Sequence, residues 1–349
     1  MGRNYRPLLG ILAIAAILAI AVCAIWGLVR LTIWLWPTRP VGPGGGVPQS
    51  RPAQVPATAT APATAPANGK DELSEAQAQQ AFGTGMAMLK DGKLLAARTL
   101  LSKALFSGRL SAKQEGDARA ALTDLAEKTI LSGSALDGDP YVFRYTFQPG
   151  NVINRVERKL ELHVPPQFVL RINGIADSSK IRAGQTVTMV QGPFHAIVTK
   201  SKFTLDLYLH RQESSPSQSQ PASRLPKIFV KRLRVGLGKD DTTPVGLWRV
   251  ALGKKLFRAP WNPPANSPLR QTILWDEAGY PLGKEGYWIS LEGIDDRTRG
   301  EEAYGIHGTN DPSSIGKAES LGCIRLADAD IDLVFSMLYE KWSTVEVRP

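Results

Sequence analysis

The sequence predicts a mainly β C-terminal domain, preceded by a small α+β unit, a short α-helical region and one N-terminal transmembrane helix. Three observations carry that architecture. Residues 8–29 are 22 uncharged and mostly apolar residues, residues 71–133 hold apolar side chains at helical spacing, and beyond residue 193 short alternating runs take over.

The elements follow in order. Residues 1–7 form a short tail; Arg3 and Arg6 before the apolar run balance Arg30 and Arg39 after it, so charge alone does not orient the tail. At about 1.5 Å per residue the next 22 reach roughly 33 Å, enough to cross a hydrocarbon core of about 30 Å. They are read as an anchor and not as a signal peptide, whose apolar core of about 7 to 15 residues is shorter; Trp34 and Trp36 suit the interface that follows. Residues 37–69 hold eight prolines and five glycines with no acidic residue, so no core forms there and the stretch reads as a tether.

Between 71 and 133 three helices are expected. Ser74-Glu75-Ala76-Gln77 and Ser111-Ala112-Lys113-Gln114 are capping-box patterns, Asp91-Gly92 marks a turn, and Leu94, Ala97, Leu101 and Leu105 share a face. The pair around the turn is similar to a tetratricopeptide helical pair, with a spacer or packing role expected. From 141 to 191 the order is strand, two short helices opening at Gly150-Asn151 and Pro165-Pro166, then turn and strand. Strands are expected at 196–198, 203–209, 228–237, 247–250, 288–291 and 344–347, a polar hairpin insertion at 214–226 and one amphipathic helix at 331–341, giving a sandwich-like domain over 193–349.

The net charge of +10 and a pI near 9.6 suit an anionic partner surface. No basic-aromatic array or nucleic-acid motif appears, and a cell-wall polymer or an anionic membrane would serve equally as the anionic surface. His163, His195 and His210 have no Cys or carboxylate at metal-ligand spacing, so no metal and no cofactor is expected. Cys23 lies in the apolar segment, far from Cys323, and no disulfide is expected.

The chemistry concentrates at the end of the chain. Fifteen residues separate His307 from Cys323 in a run rich in glycine and small polar residues. An imidazole that takes a thiol proton yields a thiolate–imidazolium pair able to attack a carbonyl, which points to acyl transfer. Gly322 permits a sharp turn and an unobstructed N–H, as an oxyanion hole of main-chain donors requires. Arg325 falls on the same side as Cys323 in an extended segment, where it can clamp a carboxylate.

Tyr304-Gly305-Ile306-His307-Gly308-Thr309, Ser313-Ser314-Ile315-Gly316-Lys317 and Ser320-Leu321-Gly322-Cys323-Ile324-Arg325-Leu326 together resemble the signature of YkuD-type L,D-transpeptidases. Val235-Gly236-Leu237-Gly238-Lys239-Asp240, Thr243-Pro244-Val245-Gly246, Pro281-Leu282-Gly283 and Trp288-Ile289 extend that resemblance upstream. It implies a YkuD-like β-sandwich, Cys323 as nucleophile, His307 as base oriented by the Gly308 carbonyl, and an oxyanion hole from the N–H groups of Gly322 and Cys323. Ser320 and Arg325 are expected to bind substrate. Leu321 stands where many members carry histidine, which leaves His307 as base; Arg325 stands where others carry Asn. The unit at 141–191 resembles a LysM module, a glycan binder, with Gly150-Asn151-Val152-Ile153 in place of the usual Gly-Asp-Thr/Ser-Leu.

The function implied by the family resemblance is a membrane-tethered enzyme of peptidoglycan biosynthesis, with residues 1–7 as its cytoplasmic tail and its catalytic domain outside the cytoplasm in the periplasm or cell wall. It acts on stem peptides beside glycan strands through a cysteine thioester, forming 3→3 cross-links. Transfer to water would make it an L,D-carboxypeptidase, and transfer to a protein amine an anchoring enzyme. A noncatalytic wall-binding tether is the alternative of another class.

Overall fold

A computed structural model describes residues 73–211, 225–264, 267 and 270–349. The predicted anchor, the tether and nearly all of the polar insertion lie outside these residues. Among the described residues no helix is long and apolar enough to cross a membrane.

Three helices come first: α1 (Glu75–Lys90), α2 (Leu94–Phe106) and α3 (Ala112–Thr129). Both capping boxes form: the Gln77 N–H donates to Ser74 Oγ at 3.2 Å and the Gln114 N–H to Ser111 Oγ at 3.3 Å, each glutamine reaching back to the serine N–H. These bonds satisfy donors that a helix start leaves orphaned. The helices are not a free-standing spacer. Their core of Ala97, Leu101, Leu105, Leu122 and Leu125 takes in Phe229 of strand β5 (Ile228–Arg234), and the Phe229 N–H donates to buried Ser102 Oγ at 3.2 Å. Strand β5 ends the main sheet, so the helices cover an edge that would otherwise offer unpaired backbone groups to other chains. A second lock is the fully buried pair of Arg98 and Asp139, bidentate at 2.8 and 2.9 Å, with Thr129 Oγ1 also accepting from Arg98.

The α+β unit follows as β1 (Val142–Thr146), α4 (Ile153–Lys159), α5 (Pro166–Ile172) and β2 (Thr186–Val190), with β1 and β2 antiparallel. Phe147, Ile153, Val156, Leu162, Val169, Val187 and Met189 form its own small core. Val142, Val164, Phe168, Ile172 and Val190 pack into the core of the C-terminal domain, and two polar or ring contacts add to this. Arg171 pairs with Asp332 at 2.5 Å, and His163 stacks on Trp342 with ring centroids 3.6 Å apart.

The C-terminal domain adds β3 (Phe194–Thr199), β4 (Thr204–Leu209), β6 (Leu237–Gly238), β7 (Gly246–Phe257), β8 (Tyr287–Gly293), β9 (Gly305–His307), β10 (Ala318–Ser320), β11 (Ile324–Arg325), α6 (Asp328–Met337) and β12 (Thr344–Arg348). Eight strands form one mixed sheet in the order β11-β9-β8-β7-β12-β3-β4-β5, with β10 and β6 as a separate parallel pair. This corrects the expected sandwich. The cause is β12, which pairs parallel with β3 and antiparallel with β7 and so joins the two halves into one sheet.

Two element boundaries are also corrected. The strand expected over 228–237 breaks after Arg234, because Gly236 exchanges backbone hydrogen bonds with Arg325 at 2.8 and 2.9 Å. A Cβ at residue 236 would stand 2.6 Å from the Ser314 carbonyl oxygen, so only glycine allows that approach. The helix expected over 331–341 instead starts at Asp328 and stops at Met337, since Asp328 and Asp330 favour its N-terminus while Leu338 is extended at ψ 129°.

Candidate active site

The register of three strands builds the site. In the parallel pair β9–β11, Ile306 stands beside Ile324 and His307 beside Arg325; in the antiparallel pair β8–β9, Ile289 stands beside Ile306 and Trp288 beside His307. The isoleucines are 0 to 2 % exposed and face the core. Alternation along a strand then puts Trp288, His307 and Arg325 together on the opposite face. Cys323, two residues before Arg325 and just ahead of β11, comes to that face beside Gly305. Its sulfur makes a 3.6 Å contact with the Ala303 carbonyl oxygen, to which the thiol donates.

His307 is buried and doubly held. Its ring stacks on Trp288 at 5.4 Å between centroids, and Nδ1 lies 2.5 Å from the Gly308 carbonyl oxygen. A carbonyl only accepts, so Nδ1 carries the proton and Nε2 keeps the lone pair. Burial pushes the His307 pKa down to about 4; the Gly308 contact opposes this and the charge of Arg325 adds to it. Burial pushes the Cys323 thiol up to about 11, with the Gly305 N–H and Arg325 pulling the other way. Both groups are therefore neutral at pH 7. Burial thus works against a thiolate–imidazolium pair, since an enclosed site disfavours separated charges.

The turn before the cysteine differs from expectation at two positions. Ser320 is buried, and its hydroxyl donates to the Cys323 carbonyl at 2.6 Å while accepting the Gly322 N–H at 3.1 Å. Ser320 thus closes its own turn and does not face a substrate, and the Gly322 N–H is already engaged and not an open oxyanion donor. The hydroxyl wins both bonds because it lies two residues from one partner and three from the other, the reach of local side-chain-to-backbone turns. Gly322 sits at φ +133°, and a Cβ there would approach the Tyr304 ring to 2.7 Å. No hydrogen bond or ion pair engages the Arg325 guanidinium among the described residues, and its charge bears on His307, Cys323 and Asp311.

In the sequence Thr243 is visible only as part of the Thr-Pro-Val-Gly motif. Its buried hydroxyl accepts the Gly238 N–H at 2.8 Å and donates to the Gly322 carbonyl at 2.9 Å. Lys200 in turn donates to the Thr243 carbonyl and pairs with Asp241 at 2.5 Å. A threonine in a Thr-Pro-Val-Gly loop gives no sequence signal of a contact 79 residues away. Trp288 was likewise visible as a motif residue but not as the plate beneath the imidazole.

A family model for the L,D-transpeptidase catalytic domain YkuD matches residues 226–347. The YkuD protein of Bacillus licheniformis is 34% identical over 179 residues, 49% of this chain and 98% of that protein. The YkuD protein of Bacillus subtilis is 49% identical over 53 residues, 15% of this chain and 26% of that one. Among solved structures, an L,D-transpeptidase from Mycobacterium smegmatis is similar at 11% identity and a TM-score of 0.30, covering 48% of this chain and 64% of that one. L,D-transpeptidase 3 from Mycobacterium tuberculosis, in complex with a faropenem-derived adduct, is similar at 14% identity and 0.30, covering 48% and 65%. The chain thus spans slightly less than two thirds of either solved structure.

Proposed function

The chain belongs to the YkuD family of L,D-transpeptidases, and from that premise we propose that it cross-links peptidoglycan through a thioester on Cys323. One observation supports the assignment most: the register of β8, β9 and β11 gathers Trp288, His307 and Arg325 on one face, and Cys323, two residues before Arg325, lies against Ala303 and against Gly305 of the strand that carries His307. The substrate is a pair of stem peptides. Cys323 attacks the carbonyl of the third residue of the donor stem, and the thiol proton passes to His307 Nε2 as the carbon–sulfur bond forms. With both groups neutral at rest, transfer and attack are coupled, so no free thiolate has to accumulate.

The tetrahedral oxyanion accepts from the Cys323 N–H. The intermediate collapses with loss of the fourth residue as a D-amino acid, whose nitrogen takes the proton from His307. An amine of a neighbouring stem then loses a proton to His307, attacks the thioester and displaces the sulfur, which takes that proton back from His307 Nε2, giving the 3→3 cross-link and the free thiol. Arg325 holds a substrate carboxylate, the role that suits a guanidinium without a partner among the described residues.

Full-length protein incubated with disaccharide-tetrapeptide tests this. Mass spectrometry is expected to find a disaccharide-tripeptide adduct on Cys323 and a cross-linked dimer, with both lost in Cys323→Ala. Dimer formation by Cys323→Ala would sink the thioester route.

The remaining parts are assigned in keeping. Residues 8–29 anchor the chain in the cytoplasmic membrane, the tether spans the space to the wall, and the α+β unit binds glycan in the manner of LysM. The 22 uncharged residues and the proline-rich composition support the first two, and the order β1-α4-α5-β2 supports the third. Protease added outside intact spheroplasts should release the catalytic domain, and the released piece should sediment with purified glycan strands; protection, or failure to sediment, counts against the respective assignment.

A further inference from the structure

We infer that Thr243 aims the oxyanion donor of the acyl-transfer site, an inference that rests on Cys323 being the nucleophile. The Gly322 carbonyl and the Cys323 N–H belong to one peptide group. A trans peptide is planar, and its C=O and N–H point in opposite directions. Whatever fixes the carbonyl therefore fixes the N–H. Thr243 Oγ1 donates to that carbonyl at 2.9 Å, and its own orientation is set by accepting the Gly238 N–H at 2.8 Å. With both lone-pair and proton engaged, the hydroxyl has no rotational freedom left.

The need for such a device is specific to this turn. Gly322, at φ +133°, lies in a region where a glycine backbone has more than one low-energy option, so the 322–323 peptide can rotate unless it is held. The neighbouring N–H, that of Gly322, is engaged by Ser320 Oγ at 3.1 Å and gives no second donor to compensate. Thr243 is held from behind. Lys200, at the end of β3, donates to the carbonyls of Thr243 and Asp241 and pairs with the Asp241 carboxylate at 2.5 Å. A line of contacts thus runs from the central sheet through Lys200 and Thr243 to the peptide that carries the nucleophile. The Thr243 hydroxyl is spent on the backbone of Gly238 and Gly322, so it acts as a positioning residue.

Thr243→Val keeps the shape and removes the hydroxyl, and Thr243→Ser keeps the hydroxyl. Two reactions of Cys323 in the full-length protein separate aiming from simple collapse. Acylation by disaccharide-tetrapeptide passes through an oxyanion; alkylation by iodoacetamide, followed at the Cys323 peptide by mass spectrometry, does not. Thr243→Val is expected to lower kcat for acylation by about 100-fold, the scale of losing one oxyanion donor, with KM and the alkylation rate changed by less than about 3-fold on the same reasoning. Thr243→Ser should recover most of the loss.

Equal losses in acylation and alkylation, or equal losses in Val and Ser variants, would make Thr243 a merely structural residue and overturn the inference. So would wild-type kcat in Thr243→Val. Cys323→Ala run alongside distinguishes the two levels: turnover without the thiol removes the premise, whereas loss of turnover in Cys323→Ala with an unaffected Thr243→Val removes only the aiming role.

Discussion

At His307 burial and hydrogen bonding act in opposite directions, and burial wins. The Gly308 carbonyl favours a protonated Nδ1 in either charge state, but a ring enclosed by Trp288 and the strand backbone cannot easily carry a net charge, so its pKa falls to about 4. The base of the proposed mechanism is the neutral ring. Activity must then persist well below the ordinary imidazole value of about 6.5, and the acid limb of kcat/KM is expected near pH 4, measured from initial rates with soluble tetrapeptide substrate. An acid limb between 6 and 7 would mean that His307 is solvated and charged in the free enzyme. Histidine and cysteine were both legible in the sequence as candidates, because the types are rare and the spacing is distinctive. Their protonation was not, since it depends on Trp288, which is close in space and nineteen residues away in the chain.

Elements whose signal is local were legible, and those set by distant partners were not. The capping boxes at Ser74 and Ser111 name their helices because donor and acceptor lie three residues apart, and the turn at Asp91-Gly92 follows from a glycine at φ +72°. The break between β5 and β6 is of the other kind. Residues 228–237 read as one strand by composition, and the interruption at Gly236 exists only because β11 approaches from 89 residues away. The same holds for the sheet itself: alternation shows that β12 is a strand, but nothing local tells that it unites two half-sheets. Ser320 and Gly322 show the limit at the site. Their types suited substrate contact and oxyanion binding, yet in the folded turn they satisfy each other first. The helical region is a mixed case: its pattern suited a spacer or a packing unit, and Ser102 and Phe229 show which, making it the cover of a sheet edge.

Across the whole molecule, buried histidines tie stability to pH. His195 accepts the Thr344 N–H at 3.0 Å, contacts the His210 carbonyl at 3.1 Å through Nε2 and stacks on Tyr208, so it links β3 to β12 and to the end of β4. Burial lowers its pKa to about 4, as it does for His307, and lowers that of His163 beside Trp342. A lowered value means that the unfolded chain takes up protons the folded one refuses. The stability these groups contribute is full above about 6.5 and is lost as pH falls from there toward 4, by roughly 2 kcal/mol at pH 5 for His195 and the same for His307. Glu157 and Asp330 work in the opposite sense, since burial raises the pKa of each and their protonation on acidification favours the fold. The three histidines outnumber these two carboxylates, and two of the three shift far, so the midpoint of urea unfolding is expected to drop between pH 7.5 and 5. His195→Asn, whose amide offers an acceptor and a donor but does not titrate, should flatten that dependence by about the 2 kcal/mol one histidine supplies, whatever it does to stability at pH 7.5. An unchanged pH dependence in the variant would show that His195 is already charged in the fold, and the β3–β12 link would then have to tolerate a cation in the centre of the sheet.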